Sequence, residues 1–294
     1  MKSGFVAIVG RPNTGKSTLI NALVGQKVAI TSHHPNTTRH AIRGIVNGAN
    51  FQAVLVDTPG VHKPRTLLGQ RLNEVVNQTL DGVDLVLMTF PADEKIGEGD
   101  QYILQIIKAS RAKKFALVTK TDLANKESLP QKLLEVGGLA EWDEIIPVSA
   151  LTDKQIEVII DLLPSYLPEG PQYYPAEQRS DQSVEQVISE FIRESAIQGV
   201  REELPHSITV TVEELAKREN RDLIDIHATI HVERDSQRAI ILGHKGETLK
   251  QIGTRARSQI ENLLGSKCFL GLHVKVSRDW QRDPKLLERL GFTE

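Results

Sequence analysis

One segment constrains the fold more than any other: residues 10–17 have the spacing Gly-x-x-x-x-Gly-Lys-Ser. A short apolar run at 5–9 precedes it, and a helical pattern at 16–24 follows. The glycines let backbone amides turn inward, and the helix N-terminus adds partial positive charge, so this strand–loop–helix unit predicts a phosphate-binding loop. We expect Lys16 to reach the β- and γ-phosphates of a nucleotide and Ser17 to bind Mg²⁺.

The rest of the first half alternates between strand and helix patterns. Further buried-strand candidates lie at 53–56, 83–88, 115–118 and 145–148. Helical stretches lie around 70–79, 99–110 and 154–163. This alternation predicts a mainly parallel, doubly wound α/β sheet.

A cluster of prolines interrupts this pattern. Pro164, Pro168, Pro171 and Pro175 fall within twelve residues, together with three of the four tyrosines. Each proline lacks an amide donor, so we expect no helix there. The predicted organisation is a first domain at 1–163, a linker at 164–180 whose tyrosines can pack against a domain face, and a second domain at 181–294 that ends with a C-terminal helix.

The second half has a different element order. We predict a helix at 181–199, strands at 207–215, 223–232 and 268–276, a short apolar element at 237–242 and a helix at 247–264. The tetrad Gly243-His244-Lys245-Gly246 stands between the last two helical elements. This is the order of a type II KH domain, which is an α+β fold that clamps the backbone of single-stranded nucleic acid across such a loop.

Charge supports nucleic-acid binding by this half. Although the whole chain has a net charge of −2, residues 234–282 contain ten Lys and Arg against four Asp and Glu, a local +6. The tetrad contacts backbone, so a DNA target stays open beside RNA. Ile240, Ile241, Leu242 and Ile252 can line an apolar floor or belong to the core. The predicted RNA-binding residues are Gly243, His244, Lys245, Gly246, Lys250 and Arg255.

Motifs after three predicted strands select the nucleotide. Asp57-Thr58-Pro59-Gly60 places a carboxylate to hold Mg²⁺ and an amide to sense the γ-phosphate. Thr119-Lys120-Thr121-Asp122 is similar to the Asn-Lys-x-Asp motif of GTPases, in which the aspartate accepts hydrogen bonds that only guanine can donate. Ser149-Ala150 matches the loop that supports the base. Thr119 replaces the usual asparagine, and its hydroxyl can make only part of the asparagine's bonds.

The predicted nucleotide-binding set follows from these motifs. It consists of Gly10, Arg11, Pro12, Asn13, Thr14, Gly15, Lys16, Ser17, Thr18, Asp57, Thr58, Pro59, Gly60, Thr119, Lys120, Asp122, Ser149 and Ala150. The predicted metal ligands are Ser17, Asp57 and a threonine of the stretch Asn36-Thr37-Thr38-Arg39-His40, with Thr38 preferred and Thr37 the alternative. We assign hydrolysis to Lys16, Thr38, Gly60 and Asn13.

The residue after Gly60 raises the question of how water is positioned. Val61 stands where Ras-like enzymes have a glutamine, and valine forms no hydrogen bond with water. Related GTPases with this substitution often have an asparagine at the position of Asn13, where it helps to bind K⁺. K⁺ would neutralise charge in the transition state, so we expect slow, potassium-stimulated hydrolysis; a turn role for Asn13 is the alternative.

Composition excludes several other classes of protein. The single cysteine, Cys268, cannot form an internal disulfide, no Cys/His cluster has zinc spacing, and the adjacent His33 and His34 diverge. No run of 18 or more apolar residues and no signal-peptide pattern occurs. These features favour a cytoplasmic protein.

Taken together, the motifs resemble those of the Era family of bacterial GTPases, of the TrmE–Era–EngA type, along essentially the whole chain. The resemblance rests on 10–17, 36–40, 57–60, 119–122, 149–150 and 243–246, and on the closing stretch around Trp280, Leu286-Leu287 and Leu290-Gly291-Phe292. It implies a GTP/GDP- and Mg²⁺-dependent switch that binds small-subunit ribosomal RNA near its 3′ end. It also implies a role in maturation of the small ribosomal subunit, in the cytoplasm or peripherally at the inner membrane.

Two other classes remain open. Val61 and Thr119 leave room for an RNA-binding scaffold whose nucleotide site is structural. An ATPase or nucleotide kinase is disfavoured by Asp122, because a carboxylate aimed at the base would stay unpaired with adenine.

Overall fold

The computed structural model describes residues 1–31, 42–60, 66–125, 127–198, 204–219 and 222–292. The predicted switch residues Asn36, Thr37 and Thr38, and also Val61, lie outside these ranges. The chain forms two compact units, one of Met1–Arg65 and Gly69–Asp181 and the other of Thr66–Leu68 and Gln182–Glu294.

The first unit is an α/β sandwich built on a six-stranded sheet. Its elements are β1 (Lys2–Val9), α1 (Lys16–Val24), β2 (Ile42–Asn47), β3 (Phe51–Asp57), α2 (Leu67–Asp81), β4 (Leu85–Pro91), α3 (Glu98–Ala109), β5 (Lys113–Thr119), α4 (Ser128–Gly137), β6 (Glu144–Pro147) and α5 (Ile156–Tyr166). The strand order is β2-β3-β1-β4-β5-β6, and all neighbours are parallel except the antiparallel pair of β2 and β3. The predicted mainly parallel, doubly wound sheet is confirmed.

The apolar strands are buried on both faces of this sheet. Val6 and Ile8 of β1 pack with α1 and α5, whereas Ala7 and Val9 pack with α2, α3 and α4. Side chains alternate across a strand, so a strand covered on both faces needs a continuous apolar run. Because helices cover both faces of the sheet, a site can form only in the loops at its edges. In such folds, ligands bind at the carboxyl ends of the strands, here those of β1, β3, β4 and β5.

Three features of this unit differ from the sequence-based expectation. The edge strand β2, which has no uninterrupted apolar run, and the helix α4, which carries Pro130 in its first turn, were not predicted. The expectation that prolines exclude helix from residue 164 onward is wrong at Pro164, since α5 continues to Tyr166. This proline lies in the last turn, where its missing amide removes a single hydrogen bond.

After α5 the chain stays with the first unit as an extended segment, residues 168–181, which we call the strap. Ser3 N donates to Pro168 O at 2.9 Å, and Ile45 N of β2 donates to Arg179 O at 2.9 Å. The fully buried Gln52 donates from Nε2 to Tyr174 O at 2.8 Å and accepts at Oε1 from Tyr173 N at 2.8 Å. The ring of Tyr173 also packs on Phe5, with centroids 5.0 Å apart. The strap therefore covers the β2 edge.

The second unit has the predicted type II KH order. Its elements are α6 (Val184–Gln198), α7 (Leu204–Ser207), β7 (Thr209–Lys217), β8 (Leu223–Val232), α8 (Asp235–Leu242), a 3₁₀ turn (His244–Gly246), α9 (Glu247–Leu264), β9 (Lys267–Val276) and α10 (Pro284–Arg289). The sheet order is β7-β8-β9, with β7 antiparallel and β9 parallel to β8.

Alternation along β8 separates the core of this unit from its polar face. Ile226, Ala228, Ile230 and Val232 are buried, as are apolar residues of α6, α8 and α9. On the opposite side of β8, His231 is also buried, with ring nitrogens 3.0 Å from Thr211 Oγ1 and 3.0 Å from Ser277 Oγ. Burial, reinforced by the charge of Lys275, lowers the pKa of His231 to about 4. The imidazole is therefore neutral at pH 7.

Within the described residues, no helix combines the length and apolar character needed to cross a membrane. Cys268 is a buried free cysteine, and Trp280 is fully buried.

Candidate nucleotide site and nucleic-acid interface

The phosphate loop is anchored to the neighbouring strand β4. Thr14 Oγ1 lies 2.6 Å from Thr89 Oγ1, and Thr89 Oγ1 donates to Val9 O at 3.1 Å. A Cβ at Gly10 would overlap Thr89 Oγ1, so only glycine fits there. Sequence reasoning missed Thr89, although a polar residue at the carboxyl end of a buried parallel strand is a usable signal.

The side chain of Lys16 is buried against the phosphate loop, where it is predicted to bind the nucleotide phosphates. Its ammonium donates to Gly10 O at 3.1 Å and to Arg11 O at 2.8 Å, and the residue is only 6 % exposed. Burial lowers the pKa of Lys16 to about 8, although the nearby Asp57 carboxylate opposes the shift. A buried cation at the start of α1 is suited to bind phosphate oxygens, which would restore the stabilisation that water provides. Asn13 adopts a left-handed conformation with φ 63°.

Ser17 and Asp57 form an oxygen pair suited to Mg²⁺. Ser17 Oγ donates to Asp57 Oδ2 at 3.0 Å, because β3 is the parallel neighbour of β1 and Asp57 ends it beside the loop. A hydroxyl and a carboxylate are the hard oxygen ligands that Mg²⁺ prefers, so the donor set fits the ion. Beyond Asp57, Thr58 Oγ1 donates to Ile8 O at 2.7 Å, and Gly60 packs directly against Pro12.

The predicted base-reading loop joins the same site. Thr119 Oγ1 donates to Thr14 O at 2.7 Å, so the threonine hydroxyl makes a bond between base loop and phosphate loop. Asp122 Oδ1 accepts from Ser149 Oγ at 2.6 Å, which places Ser149-Ala150 beside the carboxylate that is predicted to select guanine. Lys120 has a left-handed backbone, with φ 55°. The structure therefore brings 10–17, 57–60, 119–122 and 149–150 together.

The side chain of Arg11 leaves the phosphate loop and forms ion pairs with two carboxylates outside it. Its Nε lies 2.8 Å from Asp100 Oδ2, and its Nη2 lies 3.2 Å from Glu94 Oε2. Neither carboxylate could be predicted from the sequence, since both lie in an acidic stretch without a recognisable motif. Two anions therefore neutralise this guanidinium.

The tetrad of the second unit forms a tight turn between α8 and α9. Gly243 has φ 69° and ψ −177°, and a Cβ there would overlap Thr248 Oγ1. His244 and Lys245 are exposed at the tip of this turn. Only glycine allows the chain to pass so close to the start of α9, which leaves backbone and a lysine at the surface.

The other predicted contact residues lie on the helices that flank the tetrad. Lys250 is exposed and Arg255 is half-buried on α9. Of the proposed apolar floor, Ile240 is 52 % exposed, whereas Ile241 and Ile252 are fully buried in the core. An apolar contact for bases is therefore available from Ile240, and the core explanation is correct for Ile241 and Ile252.

These geometries define a class of protein: a phosphate-loop GTPase joined to a KH domain. A family model described as 50S ribosome-binding GTPase matches residues 5–121, and a KH domain model matches residues 203–281.

Comparison with whole proteins identifies the family. The chain is 54 % identical to GTPase Era of Nocardioides sp. over 301 residues, covering 99 % of this chain and 96 % of that protein. It is 55 % identical to GTPase Era of Mycolicibacterium smegmatis over 295 residues, covering 99 % of both. The chain belongs to the Era family of GTPases.

Two solved structures match the fold along the complete chain. An Era variant of Aquifex aeolicus bound to GDP·AlF4⁻ aligns with a TM-score of 0.96 and 35 % identity, covering 100 % of each chain. Era in complex with MgGDPNP and nucleotides 1506–1542 of 16S ribosomal RNA aligns with a TM-score of 0.96 and 36 % identity, again covering 100 % of each chain.

Proposed function

We propose that this GTPase is a nucleotide-controlled switch that binds small-subunit ribosomal RNA near its 3′ end and acts in maturation of the small ribosomal subunit in the cytoplasm. The observation that carries the proposal is the full-length likeness to an Era protein bound to MgGDPNP and 16S ribosomal RNA, together with an exposed Gly-x-x-Gly turn in this chain. The turn supports a nucleic acid as the ligand, and the likeness to the RNA-bound structure favours RNA over DNA.

In the nucleotide site, each residue has a distinct task. Lys16 would bind the phosphates with the amides of residues 10–17, and Asp122 would accept hydrogen bonds from guanine. Ser17 and Asp57 would hold Mg²⁺, with Thr38 as the further ligand in the GTP state. Mg²⁺ neutralises charge on the β- and γ-phosphate oxygens when it is bound. The amide of Gly60 would respond to the γ-phosphate.

Hydrolysis by this site would depend on a monovalent cation. The amide oxygen of Asn13 would be the K⁺ ligand, whereas the left-handed backbone of this residue, with φ 63°, equally fits the alternative role of a turn residue in the phosphate loop. Turnover is expected to be several-fold faster in potassium than in sodium buffer, because K⁺ would offset transition-state charge. Asn13→Ala should remove the difference. Equal turnover of the unaltered protein in the two buffers would refute this part of the proposal.

In the second unit, the tetrad would clamp the RNA backbone. Phosphates would approach the exposed tip of this turn at His244 and Lys245, with charge supplied by Lys245, Lys250 and Arg255. Because Coulomb attraction to phosphates is screened by ions, RNA affinity should fall steeply as salt concentration rises.

The test measures both sites in the same protein. RNA affinity is determined with a 16S ribosomal RNA 3′ fragment in the presence of GDP or a non-hydrolysable GTP analogue, and GTP turnover is determined with and without that RNA. Linkage requires that the nucleotide preference of RNA binding equal the RNA preference of nucleotide binding. RNA affinity that is identical with GDP and with the analogue, together with turnover unchanged by RNA, would overturn the switch and leave a static RNA-binding scaffold.

A further inference from the structure

Glu94, in the loop after β4, contacts a cation from each of the two loops that define the nucleotide site. Its Oε2 lies 3.2 Å from Arg11 Nη2 in the phosphate loop, and its Oε1 lies 3.3 Å from Lys120 Nζ in the base loop. A single carboxylate thus joins the segment that holds the phosphates to the segment that holds the base.

The position of this carboxylate is itself fixed. Glu94 O accepts a hydrogen bond from Lys132 Nζ at 2.8 Å, and Lys132 of α4 is only 7 % exposed. The backbone of residue 94 is therefore tied to a buried side chain from another element. Its contacts with Arg11 and Lys120 rest on a fixed support.

Arg11 is held in the same way on its other side. The buried Asp100 lies 2.8 Å from Arg11 Nε and also accepts from Gly97 N at 2.9 Å at the start of α3. A Cβ at Gly99 would come within 2.7 Å of Arg11 Cδ, so the arginine stem lies directly on the backbone of α3. The guanidinium is thus fixed between two carboxylates.

We propose that Glu94 is a positioning residue for the guanine nucleotide, which sets the separation and orientation of the phosphate and base loops. Glu94 would act through Lys120, which has a strained left-handed backbone. Lys120 lies between Thr119, whose hydroxyl bonds to Thr14 O, and Asp122, the proposed guanine-selecting residue. The inference rests on the guanine nucleotide site proposed above. It concerns binding of the nucleoside diphosphate portion, which GDP and GTP share.

Two physical effects of removing this carboxylate have opposite signs. A pure field effect would tighten nucleotide binding, since Arg11 and Lys120 would lose a compensating negative charge near the phosphates. Loss of positioning would weaken binding, since both loops would gain conformational freedom that binding must remove. Added salt screens the field effect but leaves the positioning effect in place.

The experiment compares Glu94→Gln with the unaltered protein and with Glu135→Gln as a matched control. Glu135 forms an ion pair with the same Lys132, at 3.3 Å, but contacts neither nucleotide loop. We expect the Kd of a fluorescent GDP and of a GTP analogue to rise equally, about fivefold, the scale set by two part-exposed ion pairs, with kcat unchanged. The increase should persist at about 0.5 M salt, where the Debye length is about 4 Å. Glu135→Gln should bind as the unaltered protein does.

A double-mutant cycle tests whether Glu94 acts through Lys120. Because Lys120→Met already removes the bonded ammonium, adding Glu94→Gln should weaken binding by less than it does alone. Unchanged or tighter nucleotide binding by a folded Glu94→Gln protein, or full additivity in the cycle, overturns the inference. Failure of the unaltered protein to bind GDP would instead overturn the guanine site itself.

Discussion

Replacing Lys16 by methionine should stabilise the nucleotide-free protein while removing its nucleotide binding. The ammonium is buried beneath the loop, and its pKa is lowered from 10.5 to about 8. A depression of about 2.5 pKa units corresponds to about 3 kcal/mol of unfavourable free energy for the charged form at pH 7. Methionine retains the length of the stem and has no charge to desolvate, but it leaves two backbone carbonyls without their donor. We therefore expect a net gain of about 1–3 kcal/mol in the free energy of unfolding.

The pH dependence gives this expectation a definite sign. Between pH 8 and pH 10.5 the unfolded chain keeps a proton on Lys16 that the folded chain has released, so the stability of the unaltered protein rises with pH in this window. The Lys16→Met protein lacks this contribution. Its advantage should therefore be fully present below pH 8 and disappear by about pH 10.5.

Urea unfolding of both nucleotide-free proteins at pH 7 and pH 10 measures the difference. Lys114→Met is the matched control, because Lys114 Nζ also donates to two carbonyls, at 2.9 Å each, but is only half-buried. That variant should lose hydrogen bonds without relief of a burial cost. A Lys16→Met protein no more stable than the unaltered one at pH 7, or a difference independent of pH, would refute the reasoning. Added GDP should stabilise only proteins that retain Lys16.

Three further predictions concern other parts of the molecule. Thr119→Ala removes the hydrogen bond to Thr14 O and should raise the Kd for GDP about three- to tenfold, whereas Thr119→Ser should bind as the unaltered protein does. Gly243→Ala should weaken RNA binding at least about tenfold with basal GTP turnover retained, because φ +69° and the crowded Cβ distort the turn; Gly253→Ala, at an uncrowded helical position of α9, should bind RNA normally. Stability should fall by up to about 3 kcal/mol as pH drops from 6.5 to 4, because the unfolded chain takes up a proton that the buried His231 does not. Thermal unfolding of His231→Gln over this range should show a smaller fall, and an equal fall would contradict the assignment.

The elements predicted well are those whose sequence pattern and burial agree. The helices at 16–24 and 247–264 and the strand at 223–232 have the predicted bounds, because an apolar stripe or run continues to a glycine or turn at each end. The edge strand β2 shows little periodicity of its own and depends on its pairing with β3, whereas α4 is amphipathic and was missed although its sequence carries the helical pattern.

In the nucleotide site, too, some residues could be predicted from local sequence and others depend on contacts distant in sequence. The residues predicted to bind the nucleotide fall in short motifs with fixed spacing, and the structure brings 10–17, 57–60 and 119–122 together as the motifs predict. Thr89, Glu94 and Asp100 support those motifs from positions that only the sheet order brings near them. A single sequence gives no distance between the segment after β4 and the phosphate loop, and for this reason Glu94 and Asp100 could not be predicted, whereas Thr89 had a usable signal in its place at the carboxyl end of a buried strand.

The strap changes where the first domain should be cut. A chain ended after residue 163 would lack the strap, so that Gln52 Oε1 would lose both of its backbone donors and the β2 edge would be open to pair with another molecule. A chain ended after residue 181 keeps both the strap and the ion pair of Arg43 with Asp181. The smallest fragment expected to remain monomeric is therefore residues 1–181. The proline-rich segment belongs structurally to the nucleotide-binding domain, because it is bonded along the edge of that domain's sheet.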